Sequence, residues 1–173
     1  MAEASDPSAG WHPVEISTAT THAVRRAVLR VGTPTTEVTF AEDEWPGAIH
    51  LGVFDDEVLV GTSTWIPREM ANRPGVAAVQ LRGMATLTSH QGRKVGAALL
   101  HSGLARAASD GAAIVWANAR DAALDFYCAH GFAVIGEGFV DEATQLPHHR
   151  VVIETQIIQT QIIQTQNPGG RTS

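Results

Sequence analysis

The segment between residues 81 and 110 constrains the fold more than any other part of this sequence. It opens LRGMATLTSHQGRKVGAALL, which is a strand pattern followed by a polar turn and the start of a helix. The helix is predicted from Gln91 to about Asp110, because apolar residues recur at helical spacing and Gly111 is a stop signal. Those apolar positions are Val95, Leu99, Leu100 and Leu104. A strand that enters a long helix through a glycine-bearing turn predicts an α/β fold.

The rest of the chain alternates between strand and helix patterns. The two apolar runs Ala48–Phe54 and Val58–Ile66 are joined by three acidic residues, which predicts a hairpin. Thr20 or Thr21 is the expected cap of a first helix that runs to about Arg30, and residues 33–47 are expected to form a loop. Further strands are predicted at 14–16, 76–87, 112–117, 132–135 and 151–154, and a further helix at 121–130. The order β-α-β-β-β-α-β-α-β-β predicts a mixed sheet flanked by helices.

Composition is typical of one globular domain with short tails. The chain has 173 residues, 44% of them hydrophobic, and it can bury a core without disulfides or metals; Cys128 is its only cysteine. Residues 1–12 contain no Lys, no Arg and no apolar run, so they are predicted to be a flexible leader rather than a signal peptide. We expect the domain to span residues 13–154 and residues 155–173 to form a polar tail.

Charge and hydropathy argue against several classes of partner. The net charge of −6 disfavours a general nucleic-acid binder. No stretch approaches the ~18 apolar residues of a membrane span. The histidines are scattered and neither CxxC nor HExxH occurs, so no metal site is predicted. These features together predict a cytoplasmic protein that binds neither nucleic acid nor membrane.

The tail contains a short repeat, TQIIQTQIIQTQ, at residues 155–166. Its five-residue period matches neither a helix nor a strand stripe. One interpretation is a strand extension that passes into a disordered tail. The other is an oligomerisation strand, because the Ile pairs lack flanking charges that would discourage edge pairing.

The turn before the long helix is a candidate phosphate site. A helix N-terminus offers unpaired backbone N–H groups and the positive end of a dipole, and Gly92 and Gly96 allow close approach to the backbone. Arg93 and Lys94 place two positive charges where a helix prefers acidic residues, a conflict that a bound polyphosphate would resolve. The alternative is a plain strand–helix connection whose glycines serve packing. The spacing is neither that of a Walker loop nor that of a dinucleotide fingerprint.

QGRKVGAALL resembles the [Q/R]-x-x-G-x-[G/A] signature of GNAT superfamily N-acetyltransferases. The resemblance implies that backbone amides of this loop hold the pyrophosphate of coenzyme A. The residues concerned are Gln91, Gly92, Arg93, Lys94, Val95, Gly96 and Ala97. Lys94 stands where the signature usually has glycine, and Thr88 stands where proline is common.

A second segment, WANARDAALDFYCAHGF at residues 116–132, resembles the later part of the same family. There a strand and an Asn, here Asn118, precede a helix that ends in F-Y-x-x-x-G-F. The resemblance implies that Tyr127, the only tyrosine of the chain, lies near the coenzyme sulfur and acts as general acid. The alternative for Tyr127 is a core aromatic with a satisfied hydroxyl.

Taken together, the two motifs imply a GNAT-like fold with a central mixed, mostly antiparallel sheet and a splay between the fourth and fifth strands. The splay would admit the pantetheine arm of acetyl-CoA, and backbone groups of Met84, Ala85 and Thr86 would bind it. The implied reaction is direct attack by an amine, from a small molecule or a peptide, without a metal. Dimers are frequent among similar proteins, so a homodimer is also implied as possible.

The sequence does not single out a general base. The candidates are Glu37, Glu42, Asp43, Glu44, His50 and His148. Four carboxylates between residues 37 and 44 hint at a cationic amine, although a solvated acidic loop explains them better. Two other functions stay open at this point. One is a catalytically silent acyl-CoA-binding regulator of the same fold, and the other is an unrelated α/β domain that binds a nucleotide phosphate.

Overall fold

A computed structural model of the protein describes residues 10–156 and Ile163. The described residues form one seven-stranded sheet in the order β1-β2-β3-β4-β5-β7-β6. The strands are β1 Val14–Ile16, β2 Ile49–Asp55, β3 Val58–Pro67, β4 Ala78–Thr86, β5 Ile114–Arg120, β6 Ala133–Val140 and β7 Pro147–Glu154. The helices are α1 Thr18–Val24, α2 Val95–Ser109 and α3 Leu124–Ala129. Every strand pair is antiparallel except β4–β5, which confirms the predicted mixed, mostly antiparallel sheet.

The parallel pair β4–β5 is joined at one end only. Its partners are Ala78 with Ile114, Val79 with Val115 and Gln80 with Trp116. Beyond these residues β4 continues with β3 alone, and β5 continues with β7 alone. The sheet therefore opens between the fourth and fifth strands, as the sequence predicted.

Helix α2 packs on the sheet and fills the core. Val95, Leu99 and Leu100 are almost fully buried, so each removes its apolar surface from water, which stabilises the fold by roughly 1.5–3 kcal/mol per side chain. Gly103 lies directly on Trp65, and a Cβ added there would meet the indole ring at 1.8 Å. Only glycine allows α2 to approach the sheet this closely.

The first helix begins earlier than predicted. Its cap is Ser17, whose hydroxyl accepts a hydrogen bond from the Thr20 amide at 3.3 Å, so the predicted cap at Thr20 or Thr21 is wrong. Serine caps a helix at least as well as threonine does. After Val24 the helix continues as a wider π-helical turn, Arg25–Leu29, and this turn places the whole Arg25 side chain in the interior.

Helix α2 also departs from its predicted start at Gln91, because it begins at Val95. Gly92 and Lys94 have φ angles of 74° and 67°, and an α-helix cannot include such left-handed residues. At the other end of the chain, β7 begins at Pro147 rather than at the predicted Val151. The polar sequence PHHR conceals the strand because it lacks the apolar alternation that marks one.

Two residues outside the predicted domain bounds of 13–154 contact the domain. Trp11, in the predicted leader 1–12, packs against the core, and its Nε1–H donates to the Arg93 carbonyl oxygen at 2.7 Å. Thr155, predicted to begin the tail, is buried and its hydroxyl donates to the Ala112 carbonyl oxygen at 2.6 Å. Most of the repeat at 155–166, with its two interpretations, lies outside the described residues. Within residues 10–156 no helix has the length and apolar character needed to cross a membrane.

Candidate active site

The turn between β4 and α2 adopts an irregular, glycine-like conformation. Gly92 and Lys94 are both left-handed, and a Cβ on Gly92 would meet nothing within 4 Å. Lys94 is the N-cap of α2, and no side chain caps the helix there. The amides of Val95, Gly96 and Ala97 form the first helical turn, where N–H groups have no partner within the helix.

The two basic residues of this turn differ in their surroundings. The Arg93 guanidinium lies 5.3 Å above the Trp11 ring and 3.9 Å from the Asp55 carboxylate, which also binds His90 at 2.8 Å. Lys94 is exposed and forms no ion pair with any residue that the structure describes. The turn therefore keeps one unneutralised cation at the surface.

Gly96 and Gln91 tie the turn to the neighbouring elements. A Cβ on Gly96 would lie 3.4 Å from the Phe126 ring and 3.7 Å from the Met84 side chain, so this glycine faces the junction of α2, α3 and β4. The Gln91 side-chain amide donates to the Thr86 carbonyl oxygen at 3.2 Å. Both contacts fix the turn against the open end of β4.

Tyr127 lies on α3, across the splay from β4. It is 7% exposed, and its hydroxyl lies 3.9 Å from the Met84 sulfur, within reach of a weak hydrogen bond. The rings of Phe126 and Phe132 contact it edge-on. Burial raises the pKa of the Tyr127 hydroxyl well above its usual value, so the hydroxyl is protonated throughout the physiological range.

A cavity of about 600 Å³ fills the opening between the diverging strands. It brings together three of the predicted site residues, Met84, Asn118 and Tyr127. The turn residues 91–97, together with Ala85 and Thr86, lie outside its lining, on the α2 side of the splay. The structure thus separates the predicted residues into the turn before α2 and a cavity, and the two meet at Met84.

Most of the candidate general bases are already engaged. Arg25 binds both carboxylate oxygens of Asp43 at 2.8 Å and also donates to Thr64 at 2.7 Å. Burial opposes ionisation of Asp43, but the hydrogen bonds from Arg25 and from the Phe40 amide outweigh it and hold the pKa of this carboxyl below its usual value. His50 Nδ1 and the Thr64 hydroxyl are hydrogen-bonded at 2.8 Å in the same buried network.

The remaining acids of the 37–44 loop are bound in a similar way. Glu42 joins Arg68 at 2.7 Å to Arg82 at 2.6 Å, and Glu44 accepts from the Thr18 hydroxyl at 2.5 Å. Glu37 accepts from two backbone amides of its own loop, at 2.9 and 2.8 Å. The hint that this loop attracts a cationic amine is therefore not supported, because its carboxylates already have partners within the protein.

His148 is the candidate that both lines the cavity and keeps a basic nitrogen available. It lies on β7, is 7% exposed, and stacks on Phe139 at 5.8 Å. Its Nδ1–H donates to the Leu146 carbonyl oxygen at 2.8 Å, which leaves Nε2 as the lone-pair nitrogen of the neutral ring. No hydrogen bond within residues 10–156 involves that Nε2.

Sequence analysis missed the arginines of the cavity wall. Asn118 and Arg120 on β5 lie opposite Arg150 and His148 on β7, and all four side chains line the cavity. The strand period of two could have located Asn118 and Arg120, because they alternate with the buried alanines of β5. The predicted strand ended at Ala117, three residues before the observed end of β5, and so did not include them.

The sheet opens beside a parallel strand pair, with a helix start at one edge of the opening and a cavity at the other, which is the arrangement that the resemblance to N-acetyltransferases implied. The profile described as "Acetyltransferase (GNAT) family" matches residues 21–132. An uncharacterized N-acetyltransferase, YitI of Bacillus subtilis (strain 168), is 31% identical over 140 residues, which cover 81% of this chain and 93% of that protein. The chain belongs to the GNAT acetyltransferase family and is an N-acetyltransferase.

Solved structures share the same fold at low sequence identity. FeeM, an N-acyl amino acid synthase from uncultured soil microbes, superposes with a TM-score of 0.72 at 18% identity, over 87% of this chain and 98% of FeeM. An aminoglycoside 6'-N-acetyltransferase complexed with coenzyme A superposes with a TM-score of 0.63 at 14% identity, over 83% of this chain and 97% of that one. These likenesses establish the fold.

Proposed function

We propose that this protein transfers the acetyl group of acetyl-CoA to an amine by direct attack, with Tyr127 as general acid. The observation that supports this most is the position of the Tyr127 hydroxyl. It is buried, protonated, and reaches across the splay to a sulfur atom, Met84 Sδ, at 3.9 Å. A thioether is a weak acceptor, so the hydroxyl gives up little when a thioester sulfur takes its place.

The turn before α2 is suited to bind the pyrophosphate of acetyl-CoA through its backbone. Lys94 adopts the left-handed conformation that a glycine would adopt, so the lysine retains the shape of the turn. The amides of Gly92 and of residues 94–97 then serve as the anion site, with the helix dipole behind them. The Gln91 and Arg93 amides donate to carbonyl oxygens within the turn, each at 3.4 Å. Arg93 and Lys94 add positive charge at the same end.

The open edge of β4 is suited to bind the pantetheine arm. Beyond Gln80 this strand has no partner on the β5 side, so the backbone groups of Met84, Ala85 and Thr86 that point into the splay are available to a ligand. Asn118 offers a side-chain amide from the opposite wall. An extended arm that pairs with an unpaired strand edge uses the same hydrogen bonds as a β-strand.

We assign deprotonation of the acceptor to His148. Its Nε2 lone pair is available, whereas the Glu37 carboxylate is stabilised as an anion by its hydrogen bonds to Thr39 and neighbouring amides, which lower its pKa and weaken it as a base.

His148→Gln should lower kcat by about 10²–10⁴-fold near neutral pH. The loss should shrink as pH rises towards the pKa of the acceptor, because the free amine then forms without a base. A loss that is constant with pH would contradict this assignment.

Tyr127→Phe tests the central proposal. The hydroxyl acts on a charge that develops only as the C–S bond breaks, so kcat should fall by about 10²–10⁴-fold while the affinity for acetyl-CoA changes little. Phenylalanine retains the ring contacts with Phe126 and Phe132, so thermal unfolding should be nearly unchanged. Phe132→Leu is the matched control, since it changes the same cluster without removing a hydroxyl. Unchanged turnover in Tyr127→Phe would exclude a catalytic role for the hydroxyl.

A further inference from the structure

Several arginines line the cavity, and only some of them form ion pairs with carboxylates. Arg68 and Arg82 both form ion pairs with the single carboxylate of Glu42. The other three arginines of the wall are Arg30, Arg120 and Arg150. None of these three has a carboxylate within ion-pair distance among residues 10–156.

Two of the unmatched guanidinium groups converge on one point. Arg120 Nη2 donates to the Leu29 carbonyl oxygen at 2.5 Å, and Arg30 Nη1 donates to the same oxygen at 3.3 Å. Leu29 ends the π-helical turn, and one cation there is explained by the exposed carbonyl and the helix dipole. A second cation at the same oxygen is not explained in that way, because the two guanidinium groups repel each other.

The acids of the cavity wall form no ion pair with these two arginines. Glu37, Glu69 and Asp141 each accept hydrogen bonds within their own loops, Glu69 from the Gly75 amide at 3.3 Å and Asp141 from the Thr144 hydroxyl at 3.3 Å. Burial and the charge of Arg120 lower the pKa of Arg30, whereas the charge of Asp141 acts in the opposite direction on both arginines. The pair therefore has no carboxylate in direct contact among residues 10–156.

Arg120 lies directly opposite His148 in the β5–β7 register. Side chains of directly opposed residues on one face of a sheet start about 4.5–5.5 Å apart at Cβ. An anion held by Arg120 would therefore lie in the same cavity as the nitrogen that we assign as the base. A ligand that carries both an anion and an amine is suited to contact both residues.

We propose that the acceptor is an amino acid, whose carboxylate binds between Arg30 and Arg120 while its amine faces His148 and the acetyl group. This inference rests on the proposed acetyl transfer and adds the class of acceptor. Arginine is suited to the role, because its planar fork donates two parallel hydrogen bonds to a carboxylate. Arg150, which lies over the Trp116 ring at 5.4 Å, adds positive charge to the same wall.

The test uses matched acceptors that differ only in the carboxylate: phenylalanine with phenethylamine, tyrosine with tyramine, histidine with histamine, and tryptophan with tryptamine. Thiol release from acetyl-CoA and thermal unfolding in the presence of coenzyme A are measured for wild type, Arg120→Gln and Arg26→Gln. Arg26 is the control, because it is an exposed arginine of the same π-helical turn as Leu29. The thermal measurement reports binding even where no turnover occurs.

We expect kcat/KM to favour the carboxylate member of at least one pair. Arg120→Gln should reduce that preference by about 10- to 100-fold, the usual range for a hydrogen bond to a charged group, mainly through KM. Arg26→Gln should behave as wild type. Binding without turnover would contradict the proposed acetyl transfer and leave the anion site standing. Turnover or binding that is equal for both members of every pair, or an equal loss for both in Arg120→Gln, would overturn the inference.

Discussion

Arg25 and Arg30 lie five residues apart at the end of the first helix, yet among residues 10–156 only Arg25 forms an ion pair with a carboxylate. Arg25 is fully buried and both of its terminal nitrogens bind Asp43. Arg30 is half-buried on the cavity wall, where it shares the Leu29 carbonyl oxygen with Arg120 and has no carboxylate within ion-pair distance among residues 10–156. The matched arginine contributes to the structure, and the pair without a carboxylate is the place where we propose that a ligand binds.

The π-helical turn between them produces this difference. It starts at Arg25 and ends at Leu29, whose carbonyl oxygen accepts hydrogen bonds from Arg30 and Arg120. A π-turn is wider than an α-turn and is frequently found at functional sites. Here Arg25 points into the core, whereas Arg30, directly after the turn, lies at the cavity.

The largest effect on stability is expected for Asp43→Asn. The substitution leaves Arg25 buried without a counter-charge, so the free energy of unfolding should fall by about 3–5 kcal/mol. Urea unfolding at neutral pH measures this directly. Asp110→Asn is the control, because Asp110 is exposed and pairs with Arg106 at the surface, where a pair contributes ~0–1 kcal/mol. A fall of less than 1 kcal/mol in Asp43→Asn would show that the matched pair is not structurally important.

The direction of the Asp43 pKa shift predicts how the stability contributed by the Arg25–Asp43 pair depends on pH. The pKa of Asp43 is lowered in the folded state, so its contribution to stability is complete above the unfolded pKa of ~3.9 and is lost as pH falls below that value. Wild type should therefore lose stability more steeply than Asp43→Asn on acidification below about pH 4. Parallel acid-unfolding curves for the two proteins would contradict this expectation.

The smallest effect on stability is expected for Arg120→Gln. The change removes one hydrogen bond to Leu29, which contributes ~1 kcal/mol, but it also removes repulsion from Arg30. The two terms have opposite signs, so the free energy of unfolding should change by less than about 1 kcal/mol. A destabilisation as large as that of Asp43→Asn would mean that both arginine sites are structural, and the contrast between them would disappear.

Local features of this molecule were predictable from sequence, and non-local ones were not. The turn before α2 is contiguous from Gln91 to Ala97, and its glycines and the helix spacing that follows are visible in the sequence. The cavity wall combines Arg30, Arg120 and His148, which become neighbours only through the β5–β7 register and the end of the first helix. No spacing along the chain encodes that register.

The acidic loop shows why counting charges was misleading. Its carboxylates looked available because their partners are distant in sequence: Arg25 precedes the loop, and Arg68 and Arg82 follow it. Which charges are neutralised depends on tertiary pairing alone. The same reasoning explains the missed arginines, since an arginine is recognised as unmatched only when its surroundings are known.

Lys94 has a consequence for how this family's signature is used in other sequences. The lysine occupies a left-handed position that costs a residue with a Cβ roughly 1–2 kcal/mol, so the requirement at this place is a backbone angle and not a particular residue. A search that demands glycine there would pass over this chain. A search that accepts any residue able to tolerate a positive φ, and that also requires the open β4 edge before the turn, would retain such divergent members.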